Sequence, residues 1–300
     1  MHQKNNLNHT PVLLSEVLKY LDPKPGESYL DMTAGYGGHA KTVRQYIDDG
    51  PMVLVDRDQM AIVYLRQHLA GKHTKLRHES FLQAALALQK NGDTFDMILA
   101  DLGVSSPHLN IASRGFALLQ DGPLDMRMDQ RQELRAETIV NNYSTVELEK
   151  ILREYGEEPK ARQIARAIVE ARPVQSTTEL ANIVKKHWGH SKVHPATRTF
   201  QALRIAVNDE LGMLKQALPI WVELLAPGGR LAVISFHSLE DRIVKQVFKH
   251  YGGLQYDAQL QLLTKRPVVA GRHETVLNPR ARSAKLRVAV KIKNKKEGRL

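Results

Sequence analysis

Residues 27–40 read E-S-Y-L-D-M-T-A-G-Y-G-G-H-A, and this stretch holds the most informative local pattern of the chain. A short apolar run ends at Asp31, a turn follows, and a helical segment begins at His39. The turn contains three glycines, Gly35, Gly37 and Gly38. A strand, a glycine turn and a helix in this order bring backbone N–H groups close to a ligand at the helix N-terminus. The stretch therefore predicts a ligand-binding turn in an α/β fold.

The next apolar run, Met52–Asp56, also ends in an acid. An acid at this distance beyond a glycine turn accepts hydrogen bonds from ribose hydroxyls, so the pair of segments indicates a cofactor that contains a nucleoside. The glycine spacing also fits a dinucleotide fingerprint. However, the Asp31 carboxylate would repel a pyrophosphate, whereas it suits the sulfonium and ammonium groups of S-adenosylmethionine. The two acids favour S-adenosylmethionine over NAD, and over a tight turn that binds nothing.

The composition excludes several mechanisms. The chain has 300 residues and no cysteine, which removes disulfides, thiolate nucleophiles, and zinc or iron–sulfur sites held by cysteine. No apolar run approaches the roughly 20 residues that span a bilayer. We expect a cytoplasmic protein that does not associate with membranes.

The positive charge is concentrated near the C-terminus. The formal charge is +11, and residues 280–300 alone contain nine Lys or Arg and one acid. Such a basic segment favours a polyanionic partner. A solvated tail that keeps the protein soluble explains the charge equally well.

Strand and helix patterns alternate over the first third of the chain. Predicted strands end at Asp31, Asp56, His78 and Asp101. This alternation predicts a parallel, doubly wound sheet, in which ligands lie at the C-terminal ends of the strands. Phe81 follows the third strand and is either a ring that covers an adenine or a core aromatic residue.

A long irregular stretch, residues 103–129, follows the fourth strand, and loops of this length beside a ligand cleft are usually functional. Helical patterns then continue without an intervening strand. We therefore predict an inserted all-helical domain at residues 108–200, within a sheet domain formed by residues 1–107 and 201–300, the latter ending in a basic C-terminal arm.

Three later patterns carry predictions about surfaces and sites. The amphipathic segment 195–211 has a polar stripe that either contacts RNA phosphates or is simply solvated. Ser238 and Asp241 are predicted to open a helix, with His237 before them as a candidate substrate contact. Residues 286–293 alternate apolar and basic or small residues, which predicts a final strand with one basic face.

Three histidines, His187, His190 and His194, have a spacing typical of metal ligands. No carboxylate or thiolate lies among them, and Lys185, Lys186 and Lys192 surround them. Repulsion by these cations opposes a bound dication, so we predict no metal site here.

The linked motifs closely resemble the bacterial ribosomal RNA small-subunit methyltransferase H (MraW-type) family. The resemblance rests on these segments: H-T-P-V-L-L at 9–14, G-Y-G-G-H at 35–39, D-R-D at 56–58, D-L-G-V-S-S-P at 101–107, R-G-F at 114–116, D-G-P-L-D-M-R-M-D at 121–129, Y-G-E-E at 155–158, P-A-T-R-T-F-Q-A-L-R-I at 195–205, F-H-S-L-E-D-R at 236–242 and N-P-R-A-R-S at 278–283. They span almost the whole chain.

The resemblance implies a fold, a cofactor, a reaction and a set of contacts. The fold is a Rossmann-like class I S-adenosylmethionine-dependent methyltransferase sheet with an inserted helical domain. The reaction is methylation of N4 of a decoding-region cytosine in 16S ribosomal RNA, and the expected substrate is this RNA within the small ribosomal subunit. The implied cofactor contacts are Gly37, Gly38, His39, Asp56, Phe81, Asp101 and His108, where His108 replaces the glutamine that is common in the family.

The chemistry requires that a weakly nucleophilic amine be held in line with the methyl carbon and that its proton have an acceptor. Ser106, in the S-S-P segment after the fourth strand, is our candidate acceptor, and a structural turn is the alternative. The rival classes are an RNA ribose 2′-O-methyltransferase, an NAD-dependent oxidoreductase and a non-catalytic RNA-binding protein.

Overall fold

The computed structural model describes residues 11–189, 194–253 and 258–292, and its chain divides into two compact units. Unit 1 consists of Met1–Gly103 and Gly212–Leu300, and unit 2 of Val104–Leu211. The predicted insertion, residues 108–200, begins later and ends earlier than unit 2.

The first part of unit 1 alternates helices and strands as the sequence pattern predicts. Its elements are α1 (Leu14–Leu21), β1 (Tyr29–Asp31), α2 (Gly38–Ile47), β2 (Met52–Asp56), α3 (Gln59–His68), β3 (Thr74–His78), α4 (Phe81–Asn91) and β4 (Phe95–Asp101). The strands β1 and β2 are buried along almost their whole length, as strands covered on both faces by helices are.

Unit 2 is built from helices. They are α5 (Ser106–Asn110), a 3-10 turn (Ala112–Arg114), α6 (Ala136–Asn142), α7 (Thr145–Gly156), α8 (Ala161–Glu170), α9 (Thr177–Lys185) and α10 (Thr197–Asn208). Among its described residues the only β pairing is an isolated bridge between Pro123 and Ser176. The helix α10 belongs to unit 2 because Phe200, Leu203 and Val207 lie in that unit's core.

The irregular stretch after β4 has a local structural explanation inside unit 2. The buried Arg114 guanidinium donates to the backbone oxygens of Arg127 and Met128, both at 3.0 Å. The buried Asn208 amide accepts from Met128 N–H at 2.8 Å and donates to Met126 O at 2.7 Å. Arg114 and Asn208 therefore hold part of the irregular stretch in place, a role that the sequence pattern alone does not reveal.

The second part of unit 1 completes the sheet. It contains β5 (Leu225–Ser235), α12 (Ser238–Tyr251), β6 (Leu260–Leu262), α13 (Arg272–Leu277), a 3-10 turn (Pro279–Ser283) and β7 (Lys285–Lys291), and it is preceded by α11 (Glu210–Glu223). The strand β5 begins earlier than the predicted Arg230, and its register with β4 shifts between Phe95 and Met97.

The sheet has seven strands in the order β3-β2-β1-β4-β5-β7-β6. The strands β1 to β5 run parallel, and β7 runs antiparallel to both β5 and β6. The strand order reverses between β1 and β4, and ligands of such sheets bind beyond the C-terminal strand ends at this switch point. The predicted doubly wound parallel sheet is confirmed, and β1, β2 and β4 end in Asp31, Asp56 and Asp101 at the edge where a ligand is expected.

The predicted final strand is confirmed as β7, with Arg287 and Lys291 on one face, but this face is covered by other parts of unit 1, and Lys293 falls outside the described residues. The side chains of Arg287 and Lys291 are buried, because neighbouring helices cover them. Arg287 donates to Asp241 in α12 at 2.7 Å, and Lys291 Nζ donates to the backbone oxygens of Val222 and Glu223 at the end of α11. Both cations thus find partners inside unit 1.

Within the described ranges, no helix combines the length and the apolar character that crossing a membrane would require.

Candidate active site

The glycine turn after β1 is held between the neighbouring strands. Met32 N–H donates to Leu99 O in β4, and Ala34 N–H donates to Val55 O in β2, at 2.8 and 2.9 Å. Gly35 then adopts φ +53° and Gly37 φ +71°, conformations that L side chains rarely adopt. The turn therefore needs glycine at these two positions before any ligand is considered.

The three glycines of the turn differ in what surrounds them. A Cβ atom on Gly37 would lie 2.3 Å from Leu69 Cδ1, and one on Gly38 would lie 2.7 Å from Pro11 Cγ. A Cβ on Gly35 would meet only Thr33 O, at 3.9 Å. Gly37 and Gly38 are therefore packed against the protein, and Gly35 has open space beside it. Their assignment as cofactor contacts concerns their backbone N–H groups, which lie at the start of α2.

Asp56, at the end of β2, connects the glycine turn to the following helix. Its Oδ2 accepts from Gly35 N–H at 2.7 Å, and its Oδ1 accepts from Asp58 N–H at 2.8 Å. An acid at the end of the second strand, beside a glycine turn, is placed where ribose hydroxyls are expected. Asp56 can therefore bind a ribose and also hold the turn in place.

Asp31 is buried at the end of β1. Tyr29 Oη donates to its Oδ2 at 2.9 Å, and Thr33 N–H donates to its Oδ1 at 3.1 Å. Burial raises the pKa of Asp31 to about 7, since desolvation outweighs these hydrogen bonds. A nearby cation would favour the ionised form of this carboxyl group.

Asp101, at the end of β4, has one oxygen that the described part of the protein does not use. Its Oδ1 is buried and has no hydrogen-bond partner there, and its Oδ2 lies 3.7 Å from His39 Nδ1. His39 Nε2 lies 3.0 Å from Val12 O, so Nε2 carries the proton and Nδ1 faces Asp101. Burial, with the charges of Asp31 and Glu240, raises the pKa of Asp101 well above its usual value. The structure thus places His39 beside Asp101, and both residues are predicted cofactor contacts.

Phe81 begins α4 and packs on a second aromatic ring. Its ring lies edge-on to Trp221, with centroids 5.5 Å apart, and Trp221 is fully buried. Phe81 itself is only half-buried. The contact orients the Phe81 ring and leaves part of it accessible, which is compatible with either interpretation of this residue.

The segment after β5 begins its helix one residue earlier than predicted. His237, and not Ser238, is the N-cap of α12: its Nδ1 accepts from Glu240 N–H, and Glu240 Oε2 accepts from Phe236 and His237 N–H. Asp241 pairs instead with Arg287. The capping residue is a histidine, so a search for serine with an acid misses it. His237 thus has a structural role, and its contact with substrate stays a prediction.

His108 and Ser106 belong to unit 2, where they form α5. His108 is buried, its Nδ1 lies 3.0 Å from Ser105 Oγ and 3.2 Å from Ser105 N, and its ring packs near Phe116. The placement of the Ser106 side chain lies outside what the structure describes. The cofactor contact of His108 and the catalytic role of Ser106 therefore stay predictions.

The three spaced histidines are only partly described, because His190 falls outside the described residues. His187 O accepts from Lys160 Nζ at 2.7 Å, and His194 Nδ1 accepts from Ala196 N–H at 3.3 Å. In the described part of the chain, no group of three or more His, Asp or Glu side chains could hold a metal ion.

Sequence reasoning missed three residues of this region: Tyr29, Trp221 and Glu240. Tyr29 is a hydrogen-bond donor to Asp31 two residues later on the same face of β1, a spacing that the strand period places together. Glu240 is the fourth residue of an H-x-x-E capping box. A sequence search that allows histidine as the N-cap residue would have found it. No sequence signal pairs Trp221 with Phe81, because they are far apart in the chain.

The sheet order, the glycine turn and the acids at three adjacent strand ends define unit 1 as the sheet domain of a class I S-adenosylmethionine-dependent methyltransferase. The sequence profile of the MraW methylase family matches residues 6–292, and the chain belongs to this family. The family resemblance read from the motifs is confirmed.

Curated relatives match over nearly the full chain. Proteins named ribosomal RNA small subunit methyltransferase H are 46% identical over 290 residues in Nostoc sp. (95% of this chain and 93% of the relative) and 47% identical over 287 residues in Cyanothece sp. (95% of each). The protein of that name in Halothermothrix orenii is 45% identical over 311 residues, 96% of this chain and all of the relative.

The residues of unit 1 fit S-adenosylmethionine as the methyl donor. Asp31 and Asp101 are buried carboxyl groups with raised pKa values, and the unused Oδ1 of Asp101 lacks a donor that a cationic ligand would supply. Asp56 lies beside the glycine turn, where a ribose is expected, and the space beside Gly35 allows close approach to the backbone. A dinucleotide pyrophosphate would instead meet these acids with like charge.

Proposed function

We propose that this methyltransferase transfers the methyl group to the exocyclic N4 of one cytosine in the decoding region of 16S ribosomal RNA. The names of the curated relatives support a ribosomal RNA substrate of the small subunit. The observation on which the proposal depends most is the Asp101 carboxyl group at the end of β4, with its unused oxygen beside the glycine turn.

We assign the cofactor contacts by unit. In unit 1, the backbone of Gly37, Gly38 and His39 approaches the cofactor at the start of α2, although Gly37 N–H itself donates to Ala34 O at 2.8 Å, and Asp56 accepts from the ribose. Phe81 covers the adenine, and Asp101 accepts from the cationic end of the cofactor. In unit 2, His108 supplies a further polar contact. The supporting observations are the helix start after Gly37, the position of Asp56 beside the glycine turn and the partly accessible Phe81 ring.

The bound cofactor supplies an electrophilic methyl carbon on a positively charged sulfur. The residues of the protein have to hold the cytosine amine in line with that carbon, because its lone pair is delocalised and reacts poorly without positioning. One amine proton has to leave for each methyl group transferred, and we propose that Ser106 accepts the hydrogen bond of the amine and passes this proton on to solvent. The base has to be unstacked to reach such a site.

The substrate that we propose is the assembled small subunit, because a basic C-terminal segment is too generic to select one cytosine in naked RNA. The reaction would then take place in the cytoplasm. A short RNA hairpin should then be methylated far more slowly than the particle. Equal rates on the two would contradict this part of the proposal.

Nucleoside mass spectrometry tests the reaction. Unmethylated small subunits incubated with the protein and S-adenosylmethionine should yield one N4-methylcytidine per particle after digestion. A 2′-O-methylated nucleoside, or no methylated nucleoside, would contradict the proposal. Asp101→Ala should abolish the product. Asp93→Ala, an exposed acid at the opposite end of β4, is the matched control and should leave the yield unchanged.

A further inference from the structure

One helix face of unit 1 is positively charged and has no role in the site described above. On α12, Arg242, Lys245 and Lys249 are exposed, with Gln246 and His250 beside them. Residues three and four apart lie on the same side of a helix, so these five side chains form one stripe. We refer to Arg242, Lys245 and Lys249 as the α12 stripe.

Both acids of α12 are turned away from this stripe. Glu240 is buried and caps the helix, accepting from Phe236 and His237 N–H. Asp241 accepts from Arg287 at 2.7 Å, and Lys285 Nζ lies 3.6 Å from it. The helix therefore presents Lys245 and Lys249 to the solvent, whereas both of its acids bond inside unit 1.

A solvated helix does not require such an arrangement, as α7 of the same protein shows. On α7, charges of both signs are mixed, and Arg153 pairs with Glu149 one turn away at 2.6 Å. Like charges at this spacing repel and destabilise a helix. The dipole of α12 favours a cation in its last turn, which accounts for Lys249 but not for Lys245 nearer the middle of the helix.

The surroundings of α12 add positive charge and no exposed acid among the described residues. The strand β6, which packs on α12, is followed by Lys265 and Arg266, both exposed. The remaining described acid of residues 236–292 besides Glu240 and Asp241 is Glu274, and its carboxylate accepts from Leu13 N–H at 2.7 Å. Charge complementarity at this surface therefore favours a polyanion.

The helix also begins at the edge of the sheet that carries the cofactor residues. It follows β5, which runs parallel to β4, so the N-terminus of α12 lies on the side of the sheet where Asp101 ends β4. At about 1.5 Å per residue, Lys245 and Lys249 are about 6 Å apart along the axis, close to the separation of neighbouring phosphates in a nucleic-acid strand.

We propose that the α12 stripe binds backbone phosphates of the RNA that carries the target base. This inference rests on the proposed function, because it takes the RNA substrate as given. Phosphate contacts fix the register and orientation of the RNA without selecting its sequence. The stripe therefore anchors the substrate, and the choice of cytosine is made elsewhere.

The test compares two charge-reversed double variants of the full-length protein. Lys245→Glu/Lys249→Glu changes the stripe. Lys75→Glu/Lys90→Glu makes the same charge change at exposed positions in the edge strand β3 and in α4. Methylation kinetics on small subunits, filter binding to protein-free 16S RNA and calorimetry with S-adenosylmethionine are measured at several salt concentrations.

For the stripe variant, we expect the KM for RNA to rise about tenfold with kcat retained, and the slope of log affinity against log salt to fall by about two. Affinity for S-adenosylmethionine should equal that of the parent, which also shows that the variant is folded. The control variant should keep the parental KM and salt slope.

Three results would overturn the inference. An unchanged KM and salt slope in the stripe variant would exclude phosphate contacts there, while parental activity would leave the proposed function intact. Equal losses in both variants would indicate a general charge effect. A loss on the particle with unchanged binding to protein-free RNA would indicate a ribosomal protein as the partner. If the parent itself does not methylate the RNA, the proposed function fails first.

Discussion

Asp56 and Asp101 end β2 and β4, the two strands that flank β1, but the protein uses their oxygens differently. Both Asp56 oxygens accept backbone N–H groups, from Gly35 and Asp58. Asp101 has a buried Oδ1 without a partner in the described structure, and burial raises its pKa. Asp56 therefore contributes to the fold as well as to binding, whereas the ionised form of Asp101 is disfavoured until a cation is bound.

Substitution by asparagine should separate these roles. Asp101→Asn should weaken S-adenosylmethionine binding about ten- to a hundredfold, the value of a hydrogen bond to a charged group, and should leave the unfolding free energy unchanged or higher. Asp56→Asn should weaken binding and also lower the unfolding free energy, because an amide cannot accept on both sides. Calorimetry and urea denaturation measure the two effects. Asp93→Asn, at an exposed site, is the control, and parental affinity in Asp101→Asn would contradict the assignment.

Asp31 should make cofactor binding depend on pH. With a pKa of about 7, it is mostly neutral near pH 6, and only its ionised form attracts the cationic cofactor. Affinity for S-adenosylmethionine should therefore rise about fivefold from about pH 6 to about pH 7, as the ionised fraction does. Calorimetry in buffers of different ionisation enthalpy measures the number of protons that the protein releases when it binds the cofactor.

The same raised pKa has a consequence for stability. The folded, cofactor-free protein holds a proton on Asp31 that the unfolded chain releases near pH 4, so this group stabilises the fold at low pH. Its contribution to the unfolding free energy should decline as the pH rises from about 4 to about 7. Asp31→Asn should reduce both this decline and the pH dependence of cofactor affinity, and the raised pKa of Asp101 accounts for the remainder. A variant that retains both effects in full would contradict the assignment to Asp31.

At the scale of elements, the order of strands and helices in unit 1 follows from the sequence, but the environment of their faces does not. The alternation of apolar and basic residues in β7 correctly predicts a strand. It does not reveal that β7 lies inside the sheet, between β5 and β6, where α12 covers Arg287. Likewise, the polar stripe of α10 is used internally, since Gln201 bonds to Tyr155 O and Arg204 to Glu210.

These differences have one physical cause. Periodicity records which residues share a face, whereas the partner of a face depends on contacts between residues far apart in sequence. The glycine turn and the acids at the strand ends could be predicted because their geometry is local. Tertiary partners such as Trp221 for Phe81, and Asp241 for Arg287, could not.

The ion pair between Arg287 in β7 and Asp241 in α12 gives a prediction about the contact between these two elements. Burial alone would raise the pKa of Asp241, yet the hydrogen bond and charge of Arg287 hold it below its usual value. Arg287→Gln leaves that carboxylate with a weaker partner and should lower the unfolding free energy by about 3 kcal/mol. Lys245→Gln, on the exposed face of the same region, should change it by less than about 0.5 kcal/mol. Urea midpoints measure both, and similar small changes would show that the pair contributes little.

At the scale of the whole molecule, charge and core are divided between the two units. Unit 2 contains 15 Lys and Arg and 14 Asp and Glu, so almost all of the formal charge of +11 belongs to unit 1. Each unit also has its own apolar cluster, one around Leu152, Ile164 and Ile168 in unit 2 and another around the sheet in unit 1. The described residues thus give unit 2 the kind of core that an independently folding domain needs.

We therefore predict that residues 104–211, expressed alone, fold into a stable helical domain. The length is typical of a domain, and buried hydrogen bonds, such as those of Asn208, close within the segment. Circular dichroism should show helix with a cooperative thermal transition. In this fragment, Ile168→Ala should lower the unfolding free energy by about 2–5 kcal/mol, because it opens a cavity in the core, whereas Val146→Ala, 76% exposed, should have little effect. A gradual transition that is insensitive to Ile168→Ala would mean that the core of unit 2 is not formed without the sheet.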